Sequence, residues 1–320
     1  MIESPFISIV VPALNVAGVI EETLQAVSRQ TFQNFEVIIV DGGSTDDSAT
    51  IAQRFCKNDA RFSFVLQHGS DISTARNTAI QRACGEWIAF LDADDVWLPT
   101  KLKRQFELIQ KDPRANFLFT NYYIWDGQND LGVYYRPSHS LPDGDVMRRL
   151  ISNNIFGTSS ILVQRGILTD DCRFDSQLSN GCEDWDLWLR LAERGLCVRG
   201  THDPLMRYRR WQGNKSNQKL KTLLGDIQLL EKNLRATQRP KLRPFYRRSL
   251  NFALAKLELA RVRPLVETRP AAVPAAVWRA WRLHPAKLKW LMWFVLVIWP
   301  TFLGGRMTER IVHRKIIQKW

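Results

Sequence analysis

Short apolar runs alternate with amphipathic stretches over the first hundred residues. Four β-rich runs predict strands: 6–11, 36–40, 62–66 and 87–91. Three stretches between them carry apolar residues at helical spacing and predict helices: 19–29, 47–55 and 72–83. The run at 87–91 is apolar on both faces, which is typical of a strand in a parallel sheet with helices on both sides. The pattern therefore predicts an α/β fold with a mostly parallel central sheet.

The pattern changes after residue 111. It predicts further strands at 115–125 and 159–163 and further helices at 183–194, 218–235 and 242–262. We therefore expect three regions along the chain. They are an α/β domain over 1–217 with halves at 1–112 and 113–217, a helical extension over 218–263, and a C-terminal segment over 264–320.

Polar residues follow the predicted strands. Pro12, Asp41 and Asp92 each lie at a carboxyl end, where open parallel sheets bind ligands, and we expect them to meet in one crevice. The turn that begins at Asp41 contains Gly43 and Ser44, and its backbone can approach a ligand closely. It is also compatible with an ordinary β-turn before a helix cap.

Two further polar residues, Arg76 and Asn77, lie on a helix expected to open toward the same crevice. The fork of Arg76 suits a phosphate or a carboxylate of a ligand, although a salt bridge to an aspartate is the simpler interpretation.

Three carboxylates follow the strand at 87–91, namely Asp92, Asp94 and Asp95. On an extended chain Asp92 and Asp94 point the same way, and they repel each other unless a cation lies between them. Oxygen ligands of this kind suit Mg²⁺ or Mn²⁺. A solvated acidic turn in which Asp95 caps the next helix would explain the cluster equally well.

The net charge of +13 is concentrated near the C-terminus, where residues 261–320 contain 12 Lys and Arg against two Asp and Glu. A near-neutral body with a basic tail argues against a nucleic-acid enzyme and favours a surface-docking protein. The five cysteines form no CxxC pair, which indicates a reducing cytosol and neither disulfides nor a zinc site.

The basic tail is also aromatic and contains six of the 12 tryptophans. Residues 290–305 (WLMWFVLVIWPTFLGG) are uncharged and would form a helix of about 24 Å, shorter than the hydrocarbon core of a bilayer. We expect this helix to lie in the membrane interface or to enter one leaflet. A tilted span and a buried helix at a homodimer contact are the alternatives. The expected contacts with anionic lipid are Arg279, Arg282, Lys287, Lys289, Arg306, Arg310, Arg314 and Lys315.

Five segments together resemble the glycosyltransferases of family 2, which have the GT-A fold. They are Ile9–Asn15, Val40–Asp46, Ala75–Asn77, Phe90–Asp95 and Glu183–Arg190. The resemblance covers about residues 6–217. It implies an inverting transfer of a sugar from a nucleotide-diphosphate sugar to a hydroxyl group.

The resemblance also implies roles for single residues. Pro12 and Asn15 would line the nucleotide pocket and Asp41 would read a uracil edge. Asp92 would hold the ribose side, and Asp94, the end of the family's DXD motif, would bind the metal across the diphosphate.

An inverting reaction needs a base for the acceptor hydroxyl, and the match to the family's Glu-Asp motif assigns this role to Asp184, with Glu183 as the second candidate. The alternative is an acidic helix start. Trp211 stands where many relatives have a histidine, so Arg209, Arg210 or Lys215 would neutralise the diphosphate instead.

The sequence thus predicts a glycosyltransferase on the cytoplasmic face of the plasma membrane, bound peripherally or monotopically. Its expected partners are a UDP-linked sugar donor, a lipid-linked or polysaccharide acceptor and an anionic membrane surface. The alternatives are a transferase that loads sugar onto polyprenyl phosphate, which basic residues such as Arg207 would favour, and a non-catalytic nucleotide-sugar or lipid-binding module.

Overall fold

The computed structural model describes residues 4–178, 181–210, 219–260 and 273–284. The chain divides into two compact units, Met1–Asn217 and Gln218–Trp320. The strands, all in the first unit, are β1 (Ile7–Ala13), β2 (Phe35–Asp41), β3 (Phe62–Leu66), β4 (Trp87–Phe90), β5 (Val96–Trp97), β6 (Phe117–Trp125), β7 (Asp130–Val133), β8 (Ile161–Gln164) and β9 (Val198–Arg209). The helices of that unit are α1 (Ile20–Ser28), α2 (Ser48–Asn58), α3 (Ile72–Arg82), α4 (Lys101–Lys111), α5 (Met147–Ser152) and α6 (Glu183–Glu193).

Within the described residues, the strands form one sheet in the order β3-β2-β1-β4-β8-β6-β9-β5, with β7 paired to β6. The four strands from β3 to β4 are parallel. Because β1 is flanked by β2 and β4, the carboxyl ends of these three strands lie side by side at one edge of the sheet. The loops that follow Ala13, Asp41 and Phe90 therefore leave the sheet together.

Helices cover both faces of the sheet, as the apolar run at 87–91 predicts. On one face, Ala89 and Leu91 join a buried cluster with Leu24 of α1 and Leu102 of α4. On the other face, Phe90 contacts Trp188 of α6, with ring centroids 5.7 Å apart. Each side chain of β4 is thus buried. The hydrophobic contribution of this strand to stability requires both helical layers.

The second half of the sheet is mixed, so the prediction of a mostly parallel sheet is wrong beyond β4. Strand β8 runs antiparallel to both β4 and β6, whereas β9 is parallel to β6. Strand β9 alternates polar and charged residues such as Arg199 and Arg207 with buried ones, which hides it from a search for apolar runs. It is nonetheless the strand that carries Arg209 toward the crevice.

The second unit is helical and contains α7 (Lys219–Ala236), α8 (Arg243–Ala260) and α9 (Val273–Leu283). Arg279 of α9 forms a 2.8 Å ion pair with Glu258 of α8. Across the described part of the chain, no helix combines the length and the apolar character that a membrane span requires. The apolar segment 290–305 lies outside the described residues.

A close backbone contact at Gly85 yields a test of the fold. A Cβ atom at this position would lie 2.6 Å from the backbone nitrogen of Ser8 in β1. Since backbone atoms of a central strand cannot move aside, we expect Gly85→Ala to lower the free energy of unfolding by about 1–3 kcal/mol, measured by urea denaturation. Gly166→Ala is the matched control, because its Cβ would meet open space. Equal stability of the two variants would contradict the packing described here.

Candidate active site

Two loops at the strand ends are fastened to each other. Asn15 adopts a left-handed conformation (φ 52°), and its Oδ1 accepts a 2.8 Å hydrogen bond from the backbone N–H of Thr45. The Ser44 Oγ in turn accepts a 2.9 Å bond from the N–H of Asn15. Pro12 is buried within β1 directly before this loop. The Asn15 amide thus shapes the predicted nucleotide pocket by holding its walls together.

Asp41 organises the loop that it begins. Its carboxylate is almost fully buried and accepts hydrogen bonds from the backbone N–H groups of Gly43 and Ser44 and from the Ser44 hydroxyl, at 2.6–2.9 Å. Gly43 has a φ of +98°, and a Cβ there would lie 2.9 Å from the ring of His68. Asp41 is predicted to bind the uracil edge. It could do so only through lone pairs of its carboxylate that are not used by these three hydrogen bonds.

The guanidinium of Arg76 lies between two carboxylates from distant parts of the chain. Its Nη2 is 2.6 Å from Asp92 Oδ1, and its Nη1 is 2.9 Å from Glu183 Oε1. Burial alone would lower the pKa of Arg76, but the charges of Asp92 and Glu183 raise it above its usual range. Arg76 is therefore a fixed cation at the base of the crevice, and the salt bridge that the sequence left as the simpler interpretation is present.

Asn77, the neighbour of Arg76, holds a distant backbone segment. Its amide donates a 2.8 Å hydrogen bond to the carbonyl of Phe174 and accepts one of 3.0 Å from the N–H of the same residue. Since both ends of the amide are used in this way, Asn77 positions residue 174 beneath Arg76, whose guanidinium lies over the Phe174 ring at 5.0 Å.

The acidic loop after β4 is anchored on both sides. The backbone N–H of Asp92 donates a 3.0 Å hydrogen bond to Ser159 Oγ. Asp95 is buried and accepts a bond of 3.0 Å from the N–H of Arg209, whose Nε donates to the Asp94 carbonyl at 2.8 Å. Burial, together with the charges of Asp94 and Asp92, raises the pKa of Asp95 well above its usual value. Asp95 thus holds the loop in place and does not cap the next helix.

Of the two arginines predicted to neutralise the diphosphate, Arg209 takes part in this anchoring and Arg210 does so only through its backbone neighbour. Arg209 is nearly buried over the Trp125 ring at 4.3 Å and also pairs with Glu22 of α1. The backbone N–H of Arg210 donates to the carbonyl of Trp125, while its side chain is exposed. Arg207 pairs with Asp130 at 2.9 Å.

Asp184 stands beside Glu183 in the first turn of α6. Its Oδ2 accepts hydrogen bonds from Thr158 Oγ1 at 2.7 Å and from Asn154 Nδ2 at 3.2 Å. Burial, followed by the charge of Glu183, raises the pKa of Asp184 to about 6, against the opposing effects of the Thr158 bond and the Arg76 charge. Such a carboxylate is ionised at neutral pH yet basic enough to take a proton.

Comparison with known proteins identifies the family of this chain. The family model described as "Glycosyl transferase family 2" matches residues 8–173, about half of the sequence. TuaG of Bacillus subtilis, a protein assigned to teichuronic acid biosynthesis, is 33% identical over 68% of this chain and 84% of its own length. The chain belongs to glycosyltransferase family 2. The predicted nucleotide-sugar glycosyltransferase is thereby confirmed.

Other relatives of this family 2 glycosyltransferase support the same assignment. WfaP of Escherichia coli, a UDP-Glc:alpha-D-GlcNAc-diphosphoundecaprenol beta-1,3-glucosyltransferase, is 30% identical over 70% of this chain and 85% of its own. Among solved structures, S. aureus TarS 1-349 with UDP-GlcNAc gives a TM-score of 0.65 at 17% identity over 94% and 93% of the two chains. The mannosyltransferase PcManGT from Pyrobaculum calidifontis, with GDP-Man and Mn²⁺, gives 0.61 at 20% identity over 89% and 77%. These likenesses confirm the GT-A-like fold.

The acidic loop offers a limited donor set for the predicted metal. Across the described residues, no group of three or more His, Cys, Asp or Glu is arranged to hold an ion, and one oxygen of Asp92 is already committed to Arg76. The two carboxylates Asp92 and Asp94 fit an ion such as Mg²⁺ or Mn²⁺ that takes one or two protein ligands and completes its shell with water and phosphate. The loop thus suits a metal that binds together with a diphosphate.

Sequence reasoning missed the residues that hold Asp184 and Asp92. Asn154, Thr158 and Ser159 lie in a segment with no motif, 26–67 residues away from the aspartates that they contact, two through the Asp184 carboxylate and one through the Asp92 backbone. No local pattern marks these positions, because their role arises from the placement of β8 beside β4.

The Thr158–Asp184 hydrogen bond yields a test of the site. Thr158→Val removes a donor to the ionised carboxylate, so we expect the pKa of Asp184 to rise by about one unit. The activity of a base falls as pH falls through its pKa, so the acidic limb of the pH–rate profile should move to higher pH. Thr120→Val is the control, because the buried Thr120 hydroxyl has no hydrogen-bond partner among the described residues. An unchanged limb in Thr158→Val would contradict this placement of the base.

Proposed function

We propose that this family 2 enzyme transfers a hexosyl group from a UDP-linked sugar, with inversion, to a hydroxyl group of a lipid-linked or polysaccharide acceptor. The observation that carries the proposal is the arrangement around Arg76, which brings Asp184 of α6 near the strand-end loop of Asp92 and Asp94. A candidate base and a candidate diphosphate site thus lie next to the two carboxylates that pair with one arginine. The names of WfaP and TuaG, and the UDP-GlcNAc bound to TarS, agree with this donor and acceptor class.

The reaction requires one proton transfer and one displacement. The oxygen of the acceptor hydroxyl group forms a bond to the anomeric carbon of the donor, and Asp184 accepts the proton of that hydroxyl group. The bond from that carbon to the diphosphate oxygen breaks, and its electron pair leaves with the nucleoside diphosphate. A carboxylate is a sufficient base because an oxocarbenium-like centre makes proton transfer late. Glu183 is the weaker candidate, since its carboxylate is buried against Arg76.

The proposed metal-binding residues are Asp94 and the free oxygen of Asp92. A divalent ion at this position would neutralise the negative charge that builds on the leaving diphosphate. The ion pair with Arg76 orients Asp92 for this purpose. Pro12, Asn15, Asp41, Gly43 and Ser44 form the proposed nucleotide pocket at the neighbouring strand ends, by the hydrogen bonds described above.

Two substitutions separate donor binding from catalysis. We expect Asp94→Ala to abolish the Mn²⁺-dependent part of UDP binding, measured by calorimetric titration of UDP with Mn²⁺ or with EDTA. We expect Asp184→Asn to retain UDP binding but to lower kcat by about 10²–10⁴-fold, since it removes the general base and keeps the side-chain shape.

The controls for this experiment are GDP as a competing ligand and Asp170→Asn, an exposed carboxylate away from the crevice. Tighter binding of GDP than of UDP would overturn the UDP assignment. Full transfer activity in Asp184→Asn would overturn the assignment of the base.

We also propose that the C-terminal region docks on an anionic membrane at the cytoplasmic face. Within the described part of this region, Trp278 is exposed and stacks on Trp281 with centroids 4.8 Å apart, and Arg279 and Arg282 lie on the same helix. Tryptophan favours the headgroup level of a bilayer, and each basic residue near an anionic surface adds attraction. Such docking would place the crevice near a lipid-borne acceptor.

The membrane proposal predicts co-sedimentation with vesicles. We expect the full chain to pellet with vesicles that contain anionic phosphatidylglycerol, and a chain that lacks residues 275–320 to stay in the supernatant. Vesicles of phosphatidylcholine alone are the control for charge. Equal sedimentation of the full and the shortened chain would contradict the docking role of this region.

A further inference from the structure

A cavity of about 460 Å³ lies in the second half of the first unit, between residues 135 and 155. Its lining combines the apolar side chains of Tyr135, Pro142 and Ile155 with the arginines Arg148 and Arg149 of α5. The Arg149 guanidinium bonds to Ser140 at 3.0 Å, which keeps it at the cavity wall. No role in donor binding or in proton transfer falls to these residues.

The cavity wall is tied to the candidate base by two hydrogen bonds. Asn154, between two lining residues, donates to Asp184 Oδ2 at 3.2 Å. The indole N–H of Trp185 donates to the carbonyl of Leu150, which follows Arg149 in α5, at 2.7 Å. Arg149 and Asn154 are five positions apart in the sequence, so their Cα atoms are separated by at most about 18 Å. Arg149 thus lies on the same short segment of chain as the residue that bonds to Asp184.

The local charges favour an anion in this cavity. Both arginines are exposed. Of the two carboxylates directly before α5, Asp143 pairs with Arg199 at 2.6 Å, so Asp145, which accepts the N–H of Met147 at 3.0 Å, faces two positive charges with one negative charge. An arginine fork suits phosphate, and the apolar wall suits a hydrocarbon chain. A ligand with both features is a prenyl chain that carries a diphosphate.

The reaction supplies a reason for such a site. An acceptor that carries a diphosphate must approach a crevice lined by Asp92, Asp94, Glu183 and Asp184, which would repel it. A second set of cations, away from the donor's diphosphate, would offset this repulsion and fix which hydroxyl group reaches Asp184. The arginines of α5 are placed to do so.

We propose that the cavity at Arg148 and Arg149 binds the diphosphate of a polyprenyl-diphosphate-linked acceptor, with the acceptor sugar directed toward Asp184. This inference rests on the proposed function and adds the acceptor class to it. It assigns the apolar wall of Tyr135, Pro142 and Ile155 to the first prenyl units of the lipid.

The test is calorimetric titration of farnesyl diphosphate into the full-length protein, with farnesol and inorganic diphosphate as comparison ligands. We expect farnesyl diphosphate to bind more tightly than either, because it alone presents both chemical features. The Arg148→Ala/Arg149→Ala variant should weaken its binding by about tenfold or more. Arg148→Lys/Arg149→Lys, which retains the charge, should weaken it less.

Two controls make the result specific. Lys57→Ala/Lys103→Ala removes the same charge from exposed positions of α2 and α4 outside the cavity, and we expect it to bind farnesyl diphosphate as the wild type does. UDP with Mn²⁺ is titrated into every variant, and the Arg148→Ala/Arg149→Ala variant should retain its UDP affinity. Retained UDP binding also shows that this variant is folded.

Several outcomes would overturn the proposal. Equal affinity of the alanine variant and the wild type for farnesyl diphosphate would place the binding on another surface. Equal affinity of the wild type for inorganic and farnesyl diphosphate would leave a plain phosphate site with no lipid preference. Loss of UDP binding in the alanine variant, with an unchanged midpoint of urea unfolding, would assign the arginines to the donor. If the wild type itself binds no UDP, the donor part of the proposed function fails, independently of the farnesyl diphosphate result.

Discussion

The ion pairs of Arg76 are the constraint on which the active-site region depends. The guanidinium is 2% exposed and lies between Asp92 and Glu183, which are 91 residues apart in the sequence. A buried cation without its carboxylates costs several kcal/mol, so the loop after β4 and the start of α6 must fold against α3 together. One arginine therefore couples the half of the domain that carries the strand-end loops to the half that carries the candidate base.

The same ion pairs give the adjacent carboxylates Glu183 and Asp184 different environments. Arg76 takes up Glu183 directly, whereas Asp184 is held by a hydroxyl and an amide, both neutral groups. The negative charge of Glu183 acts with burial to raise the pKa of Asp184, while Arg76 at longer range limits that rise. The outcome is a carboxylate with a pKa of about 6 beside one that is tied up in an ion pair, which is how a site obtains a base from two similar groups.

The sequence was informative wherever a local pattern carried the structure. Apolar runs and helical periodicity located β1 to β4 and the helices between them, and the strand-end residues Asp41 and Asp92 emerged at one edge of the sheet as expected. Strand β9 was missed because its exposed positions are charged. Likewise, the amide of Asn77 and the guanidinium of Arg209 are committed to distant backbone groups. Motifs identify residue types, but long-range packing decides which atoms are used for binding and which for support.

The two sides of the crevice are supported by different kinds of contact. Asp41 holds its own loop through groups two and three residues away, so this loop of the proposed donor side is largely determined by its own short motif. Asp184 depends on Asn154 and Thr158, which belong to the segment that follows α5 and borders the cavity. Substitutions in that segment can change the proposed acceptor surface while the strand-end loops keep their hydrogen bonds. This separation gives a physical route by which one donor-binding framework can serve different acceptors.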